Sequence, residues 1–408
     1  MTRALYISYN GLDEPIVQSQ VIPYLKGLSA KGIKFYLITF EKTKMSPERE
    51  RKLRDMLNSG QGHAFDIEWH ALRYHKRPQF LCKLLDITWG FFYIVFMVIS
   101  RRIDVVHARA LVSQAMGYPA AKILFRKILF DTRGIDSEEY VDGGLWKRDS
   151  FKHRLAKRLE KIFINGSDHV IVLTERFLKI LNDMYKGKKI SYTVIPCAAD
   201  TDIFRPMKKD NVLLKDLGLE GKFVLVYSGS IGTWYMLGEM IDFFKTLSKR
   251  DTKAHFLILT HKGKDDIEKA FREKGIGKEC FTVKRAEYAR VPDYLSLCDA
   301  GIFFIKPVFS KLSSSPCKFG EYLAAGLPVV INRDIGDTDK IVLRYNVGAV
   351  IHGFDREHYA QAVDTITDMI RIDREGLRRR CRNCAVNELS LKKAVQNYYD
   401  VYESVGKL

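Results

Sequence analysis

The chain has 408 residues, of which 46% are hydrophobic and 28% charged, so its composition suits two globular domains and excludes disordered and fibrous classes. Its net charge of +18 is uneven: residues 1–205 hold 34 Lys and Arg against 22 Asp and Glu (+12), and residues 206–408 hold 33 against 27 (+6). This surplus favours anionic partners, namely phosphorylated ligands, an anionic membrane surface or nucleic acid.

Seven cysteines are scattered without the spacing of a disulfide framework, which indicates a reducing compartment. Cys381 and Cys384 are the only close pair, and with no second pair or matching histidines they do not predict a zinc site. Asp200 and Asp202 have the form of a carboxylate metal motif, but we interpret them as part of a turn. The first residues enter a strand pattern without a signal-peptide segment, so we expect a cytoplasmic protein. None of these patterns predicts a resident metal or cofactor.

The first half of the chain reads as strands separated by loops and helices. A strand, a loop, a helix over 18–31 and a second strand open the chain, which is typical of a doubly wound parallel sheet with ligands at the carboxyl ends of its strands. The strands are predicted at 4–9, 34–40, 64–72, 104–107, 128–131, 168–173 and 192–196.

Two helical stretches of this half allow two interpretations each. The predicted helix over 80–100 is apolar nearly all round, so it is either a core helix or a helix whose exposed face enters a membrane interface, helped by Lys83, Arg101 and Arg102. Its uncharged run, 87–100, is too short to span a bilayer, so we expect no transmembrane helix. The stretch 147–161 holds seven Lys and Arg and two acids, and it is either a solvated face or a surface for an anionic membrane or acceptor.

A polar stretch over 205–221 predicts a linker, after which the αβ pattern starts again. Strands are predicted at 223–227, 255–260, 281–283, 300–305, 329–331 and 349–351, and the chain is expected to be helical from there to its end. The sequence therefore predicts two αβ domains with a cleft between them.

The most informative segment of the second domain lies over 313–331. Ser315 is a suitable N-cap, Pro316 suits the first helical position, and Gly326 suits the helix end before a buried strand. The free N–H groups at the helix start, with Lys318, form a candidate anion site, and Glu321 one turn further could bind a hydroxyl group. An ordinary well-capped αβ unit would have the same pattern.

Other strand ends carry residues that could complete a site. The turn 229–233 follows the first strand of the second domain, where backbone amides can approach phosphate oxygens, and Gly11 occupies the corresponding loop of the first domain. Two further first-domain strands end in polar side chains that are either structural or form a catalytic or acceptor wall of the cleft. These side chains are His107, Arg109, Asp131 and Arg133.

The segment 321–330 (EYLAAGLPVV) resembles the family-4 retaining glycosyltransferases of the GT-B fold. Segments 18–28, 130–134, 141–144, 194–200 and 227–235 resemble the bacterial exopolysaccharide glycosyltransferases of that family in the same order. The resemblance implies two Rossmann-like doubly wound α/β domains facing a cleft. These would be an acceptor domain (1–205), a nucleotide-sugar domain (206–390) and a C-terminal helix (391–408) that crosses back to the first domain.

The resemblance also implies a donor site in the second domain. Glu321 matches the second glutamate of the family's E-x7-E motif, which binds the donor ribose, whereas Ser313 stands where the first glutamate is expected. The usual Arg and Lys after the Gly-rich turn are absent, and Lys318 is the candidate to supply their charge. The residues expected to bind the donor are Gly229, Ser230, Gly232, Thr233, Lys262, Arg285, Ser314, Ser315, Pro316, Lys318 and Glu321.

For the reaction, the resemblance implies a metal-independent hexosyltransferase in which the acceptor attacks on the face that the nucleotide leaves. The counterpart of the family's cleft histidine is Arg133 or His107, with Asp131 beside them, and Gly11, Gln18 and Arg109 lie on the acceptor side. The expected partners are a UDP- or GDP-linked sugar, a saccharide or polyprenyl-diphosphate-linked acceptor in surface or exopolysaccharide biosynthesis, and an anionic membrane on its inner face, but no nucleic acid.

Two alternatives remain. The chain could be a sugar-nucleotide epimerase or hydrolase of the same fold, which would need no saccharide acceptor. It could also be a non-catalytic GT-B subunit that supports a partner enzyme, since Ser313 lacks the carboxylate and the Arg and Lys pair is missing.

Overall fold

The computed structural model describes residues 1–59, 65–76, 79–185 and 190–406. It divides the chain into two compact α/β units. Unit 1 comprises residues 1–196 and the helix that begins at Leu391, and unit 2 comprises residues 197–390. Each unit has its own hydrophobic core around a parallel sheet, so the predicted α/β class with two domains is confirmed.

Within the described residues, unit 1 is built on a seven-stranded parallel sheet in the order β3-β2-β1-β4-β5-β6-β7. The winding direction reverses beside β1, which opens a crevice at the carboxyl ends of β1 and β4. The strands are β1 (Arg3–Ser8), β2 (Lys34–Glu41), β3 (Ile67–Arg73), β4 (Val105–Arg109), β5 (Lys127–Asp131), β6 (His169–Val172) and β7 (Tyr192–Val194).

Helices cover both faces of this sheet. They are α1 (Pro15–Gln20), α2 (Ile22–Ser29), α3 (Pro47–Asn58), α4 (Gln79–Ser100), α5 (Ala110–Ile123), α6 (Asp136–Asp142), α7 (Phe151–Gly166) and α8 (Glu175–Met184). The helices α4, α5 and α7 form one layer in that order: α5 packs against both of the others, and all three cover the sheet face that carries Ile7, Ala108 and Phe130.

Unit 2 repeats this plan with six described parallel strands in the order β10-β9-β8-β11-β12-β13. The strands are β8 (Phe223–Ser228), β9 (Ala254–Leu259), β10 (Phe281–Lys284), β11 (Ala300–Phe303), β12 (Val329–Asn332) and β13 (Gly348–Ile351). Its helices are α9 (Asn211–Asp216), α10 (Leu237–Arg250), α11 (Lys264–Glu273), α12 (Val291–Ser296), α13 (Cys317–Ala324), α14 (Thr338–Tyr345) and α15 (Arg356–Glu388).

The last helix, α16 (Leu391–Gly406), returns to unit 1, as predicted. It covers the sheet face opposite to α5, where Tyr402 packs edge-on against Phe35 of β2. It also packs against α2 so closely that a methyl group on Gly27 would lie 2.7 Å from the side chain of Val395.

The structure shifts the expected boundary between the units from residue 205 to Pro196. The residues after Pro196 are held by unit 2, because the Ala199 N–H donates to the Leu389 carbonyl (2.8 Å) and the Arg382 guanidinium donates to the Phe204 carbonyl (2.7 Å). The expected linker over 205–221 contains the short helix α9, which Asp210 caps with its side chain.

The predicted helix over 18–31 is two helices in the structure. Val21 has φ −127° and ψ −62°, which interrupts the helical backbone between α1 and α2. Pro23 then lies in the first turn of α2, where backbone N–H groups have no hydrogen-bond acceptor within the helix, so the missing N–H of proline costs nothing. The helical stretch expected after β13 consists of two helices, α15 and α16.

Among the described residues, one helix is long and apolar enough to cross a membrane by length and composition, the stretch Leu81–Ser100 of α4. The uncharged run over 87–100 is shorter than a bilayer-spanning helix, as expected, but α4 itself is longer because it includes the preceding turns with Lys83 and Asp86. Buried positions make up 33% of the most apolar window, and they include Ile94 and Met97, which pack on the sheet.

Candidate active site

The helix α13 lies in the connection between β11 and β12, and its first residues are at the carboxyl edge of the unit 2 sheet. The helix begins at Cys317, one residue later than predicted, and Pro316 precedes it without a side-chain cap. Ser315 is not the cap, because its hydroxyl accepts a hydrogen bond from the Cys197 N–H (3.1 Å). Ser314 precedes it with extended backbone and is partly exposed.

The turn after β8 lies directly against the first turn of α13. Gly229 has φ +128°, and a methyl group there would lie 3.1 Å from the ammonium nitrogen of Lys318. A glycine is therefore required both by the backbone and by the close approach of the lysine. The predicted juxtaposition of the Gly-rich turn with the start of α13 is present in the structure.

Hydrogen bonds hold the rest of this turn. The carbonyl of Ser230 accepts from the Tyr227 hydroxyl (2.6 Å), and the carbonyl of Gly232 accepts from the Tyr235 N–H (3.1 Å). Ser230, Gly232 and Thr233 are exposed. The turn thus presents its surface to solvent beside Lys318.

Lys318 is buried in an aromatic cage. Its ammonium nitrogen lies 3.5 Å from the ring centre of Tyr235 and 4.6 Å from that of Tyr227, and it donates to the Tyr227 hydroxyl (3.4 Å). Burial lowers the pKa of Lys318 to about 7, although the nearby Glu321 and Cys317 favour the charged form. A phosphate group at this position would supply the full counter-charge that the cage lacks.

Glu321 lies one turn further along α13 and is also buried. Burial raises its pKa to about 7, which the Tyr288 hydroxyl and Lys318 oppose. The Tyr288 hydroxyl donates to the carboxylate at 3.1 Å. Glu321 can therefore accept hydrogen bonds from a ligand hydroxyl with its orientation fixed by Tyr288.

Ser313 ends the loop before α13, and its hydroxyl donates to the carbonyl of Ser310 (2.6 Å). The side chain is fully buried, so it supports the loop backbone rather than supplying an acceptor at the surface. In the same loop the ammonium of Lys311 lies 3.7 Å from the ring centre of Trp234, which extends the aromatic and cationic lining. The sequence predicts no role in the site for Lys311, Tyr235 or Tyr288.

Lys262 and Arg285 lie at neighbouring strand ends and are exposed. Lys262 follows β9, and Arg285 follows β10 and forms a long ion pair with Glu287 (3.9 Å). β10 is two strands from β8, so Arg285 lies about 10 Å from the Gly229 turn along the sheet edge. The two cations share the edge with Lys318 but belong to its outer part.

The predicted polar wall of unit 1 is a buried cluster around Asp131. The carboxylate accepts from Arg133 (3.0 Å) and from the hydroxyl of Tyr398 (3.2 Å), and the guanidinium of Arg109 lies 3.5 Å away. Burial alone would raise the pKa of Asp131, but Arg133, His107 and Arg109 together hold it below its usual value. Asp131 is therefore an ionised carboxylate that orients two arginines.

The two candidates for the counterpart of the family's histidine differ in exposure. His107 is 1% exposed, its Nδ1 lies 2.7 Å from the Tyr402 hydroxyl, and its Nε2 lies 3.7 Å from Asp131. Burial lowers its pKa, and the nearby Asp131 opposes this shift. In this conformation α16 covers the ring, whereas the side chain of Arg133 is 15% exposed, so Arg133 is the more exposed member of the pair.

The loop after β1 is closed by carboxylates. The N–H of Gly11 donates to Glu14 (2.8 Å), the N–H of Leu12 donates to Glu41 (2.9 Å), and the Gln18 amide donates to the Leu12 carbonyl (2.7 Å). The glycine is needed because a side chain there would clash with the Glu41 carboxylate. With these amides already occupied, the loop is built differently from the Gly229 turn and is unsuited to holding a phosphate.

Comparison with known proteins gives independent evidence of the family. The family model of Glycosyltransferase Family 4 matches residues 17–203, and that of Glycosyl transferases group 1 matches residues 211–385. None of the curated proteins matches this sequence significantly.

Solved structures with the same fold cover nearly the whole chain at low identity. Sucrose-phosphate synthase from Thermosynechococcus elongatus has 14% identity and a TM-score of 0.75, covering 99% of both chains. A glycosyltransferase from Rickettsia africae has 14% identity and a TM-score of 0.72, covering 99% of this chain and 98% of its own. HepE from Anabaena, in complex with UDP-glucose, has 14% identity and a TM-score of 0.71, covering 100% of both chains.

These structures show that the fold is GT-B, as the sequence predicted. The two family matches follow the two units, with the first model in the αβ unit that carries Asp131 and the second in the unit that carries Lys318 and Glu321. The chain belongs to the group 1 glycosyl transferases of glycosyltransferase family 4.

Proposed function

We propose that this glycosyltransferase is a retaining, metal-independent hexosyltransferase that moves a sugar from a UDP- or GDP-linked donor to a saccharide acceptor. The observation that carries the proposal is the contact between the Gly229 turn and the Lys318 ammonium, with Glu321 one helical turn away. A diphosphate at Lys318 and a ribose at Glu321 would use the cation, the first turn of α13 and the carboxylate together.

The similarity to HepE supports the donor class, because the HepE structure holds UDP-glucose and shares the fold along its whole length. Both Lys318 and Glu321 are buried beside ring systems, so a ligand that reaches them is largely removed from water. In such surroundings a charged hydrogen bond to phosphate is stronger than at an exposed site. Arg285 and Lys262 would then assist the nucleotide at the outer edge.

In the proposed reaction, the acceptor hydroxyl oxygen forms a bond to the anomeric carbon while the bond from that carbon to the diphosphate oxygen breaks. The proton of the acceptor passes to the departing phosphate oxygen. The charge that develops on the diphosphate is stabilised by Lys318 and by the N–H groups at the start of α13. This scheme needs no protein nucleophile and keeps the configuration of the sugar.

For unit 1 we assign Arg133 the role of contacting the reacting groups, with Asp131 holding its guanidinium (3.0 Å). His107 and Arg109 act through Asp131 as positioning residues, because both are at least nine-tenths buried. Gly11 and Gln18 shape the acceptor side. The positive charge of residues 1–205 suits an acceptor that carries a polyprenyl diphosphate, which would bring the enzyme to the inner face of the cell membrane in surface or exopolysaccharide biosynthesis.

Donor binding is the first test. Isothermal titration with UDP, GDP and their common hexose conjugates should find one nucleotide series that binds, and Lys318→Ala and Glu321→Ala should each weaken it at least tenfold. Lys253→Ala, which removes an exposed lysine at the amino end of β9, is the matched control and should bind as the wild type does.

Product analysis is the second test. The wild type should release nucleotide diphosphate and form a glycoside only when a saccharide acceptor is present, and NMR of the product should show the donor's anomeric configuration. Sugar-nucleotide epimerisation or hydrolysis without acceptor would contradict the proposal.

Ser313 favours one other candidate, a non-catalytic subunit, because it replaces a carboxylate of the family motif by a buried hydroxyl. Under that alternative Glu321→Ala and Lys318→Ala would leave the polysaccharide output of the producing cell unchanged. The transferase proposal expects both variants to abolish it.

A further inference from the structure

The outer face of α4 is an unpartnered apolar stripe on unit 1. Its large side chains are 54–63% exposed at successive turns of the helix, and from the first to the last of them the stripe runs about 27 Å. Its members are Leu81, Leu84, Leu85, Trp89, Phe92, Phe96 and Ile99. An apolar surface of this length on a soluble domain indicates an interaction site.

The opposite face of α4 is packed into the protein, which fixes the orientation of the helix. Gly90 packs against Met116 of α5 with no room for a side chain, and Ile94 and Val98 are buried in the core over the sheet. The exposed stripe is therefore the outer surface of a helix that lies flat on unit 1. A membrane-spanning orientation would require this packed face to leave its core.

The charges of α4 are arranged for contact with an anionic apolar phase. Its one acidic residue, Asp86, is 1% exposed and accepts from the hydroxyl of Tyr9 (2.7 Å) and the ring of His75 (2.5 Å) on the inner side. The described outer face thus carries no acid, and Arg101 and Arg102 follow directly at its carboxyl end, where Arg101 pairs with Glu68 of β3 (2.6 Å). A helix whose acidic side chain points inward, whose outer face is apolar and whose end carries basic residues has the pattern of an interfacial helix.

The neighbouring α7 extends the same surface. It lies in the same helix layer, and its exposed side carries basic and apolar side chains and no exposed acid of its own. These side chains are Phe151, Lys152, Arg154, Leu155, Lys157, Arg158, Lys161 and Ile162. Among these side chains Lys157 pairs with Glu138 (2.8 Å), and the exposed Asp149 precedes the helix. At the end of α5, between the two, Phe125 is 94% exposed.

We propose that the helix layer α4–α5–α7 docks on one leaflet of an anionic membrane, with the α4 stripe in the interface and the basic side chains of α7 on the lipid phosphates. A lipid leaflet fits better than a second copy of this chain, because two copies meeting through this layer would bring its basic residues together. Trp89, Phe92 and Phe96 are residue types that occur on the apolar face of interfacial helices.

Docking through this layer would also bring a lipid-linked acceptor close to unit 1, an inference that rests on the proposed function. The Lys83 ammonium at the amino end of α4 lies 3.5 Å from the Tyr140 hydroxyl of α6, and α6 follows the loop that carries Arg133. The docked layer therefore adjoins the carboxyl edge of the unit 1 sheet. A lipid-linked acceptor in the same leaflet would present its saccharide near this edge, which carries Arg133, while its lipid chain stays in the membrane.

The test uses the full-length protein with phosphatidylcholine vesicles that contain or lack phosphatidylglycerol. Wild type should float with the anionic vesicles at low salt and much less with neutral ones, and Phe92→Ser/Phe96→Ser should weaken the partition at least tenfold. Leu343→Ser/Ile372→Ser removes two equally exposed apolar side chains from unit 2 and should bind as wild type does.

Trp89 offers a readout of insertion. Its emission should shift to the blue and be quenched by brominated lipid, and Trp89→Phe should remove most of both changes while flotation persists. The proposal is overturned if wild type does not float with anionic vesicles, if Phe92→Ser/Phe96→Ser floats like wild type, or if the blue shift is undiminished in Trp89→Phe. It is also overturned if the stripe variants only convert a dimer to a monomer, which would assign the stripe to a second copy.

Nucleotide binding separates this proposal from the proposed function. Vesicle binding with no affinity for any nucleotide would support the docking surface and contradict the proposed donor site. Nucleotide binding without vesicle binding would support the donor site and contradict the docking surface.

Discussion

Lys318 carries a buried charge at the position where the proposed donor diphosphate binds. Burial lowers its pKa from 10.5 to about 7, so near neutral pH the folded protein holds this proton far less tightly than the unfolded chain does. The side chain is held by the rings of Tyr227 and Tyr235, which an uncharged chain of similar shape could also contact. Functional sites commonly reduce stability in this way.

Replacing Lys318 by methionine should therefore raise the free energy of unfolding at pH 7 by on the order of 1–2 kcal/mol, while donor binding falls at least tenfold. In wild type, unfolding takes up a proton between about pH 7 and 10.5, so stability should rise with pH in that window, and the variant should lose this rise. Urea denaturation from pH 7 to 9.5 measures both effects. Lys253→Met is the control, and a less stable Lys318→Met protein would contradict the argument.

Tyr288 gives a second prediction at the residue scale. Its hydroxyl donates to Glu321 (3.1 Å) and opposes the burial that raises the carboxyl pKa to about 7. In Tyr288→Phe the pKa of Glu321 should rise further, so that less carboxylate is available at pH 7 to accept from the ribose. Nucleotide affinity should fall about threefold to tenfold at pH 7 and recover in part by pH 8.5. A loss independent of pH would assign Tyr288 a packing role alone.

At the scale of elements, the positions of the strands were predictable, and the choice between helix faces was not. Buried strands such as β8 and β12 are short apolar runs bounded by turn residues, which local pattern detects. The helix α4 is apolar nearly all round, so no period in its sequence shows that Trp89 is outside and Ile94 inside. The packing of Gly90 on Met116 shows which face of α4 is buried, and this contact depends on α5.

The candidate site was likewise only partly predictable from the sequence. Lys318, Glu321 and the Gly229 turn lie where capping rules and strand ends predict an anion site. The choice between His107 and Arg133 depends on Tyr402, which is 295 residues from His107 in sequence. The contact between Tyr288 and Glu321 likewise joins separate elements, and no local signal marks it.

The helix α16 supplies the next prediction, because it reaches the Asp131 cluster through the Tyr398 hydroxyl (3.2 Å). Tyr398→Phe should reduce stability by about 1 kcal/mol and lower kcat with little change in the KM for donor, since the contact supports Arg133 through Asp131 and lies in the other unit from Lys318. Steady-state kinetics measures kcat and the KM for donor separately, and urea denaturation measures the loss of stability. Tyr399→Phe, on the same helix but facing Lys31, is the control. Equal effects from both variants would show that α16 contributes by packing alone.

At the scale of the whole molecule, the chain passes through unit 1, then unit 2, and returns to unit 1 with α16. Each unit has its own core, so local stability should follow the spatial units rather than the order of the sequence. This distinguishes the last helix from α15, which precedes it directly and packs on unit 2.

Val395 tests this organisation, because it is buried against Gly27 in unit 1 although it follows unit 2 in sequence. Val395→Asp places an unpaired charge in that contact and should cost about 3 kcal/mol or more. Hydrogen exchange should then show faster exchange in β1, β2 and β4 and unchanged protection in β8, β9 and β12. Ser404→Asp puts the same side chain on the exposed side of α16 and should leave both units protected. Loss of protection in unit 2 would mean that the last helix stabilises the domain before it in sequence, contrary to the structure.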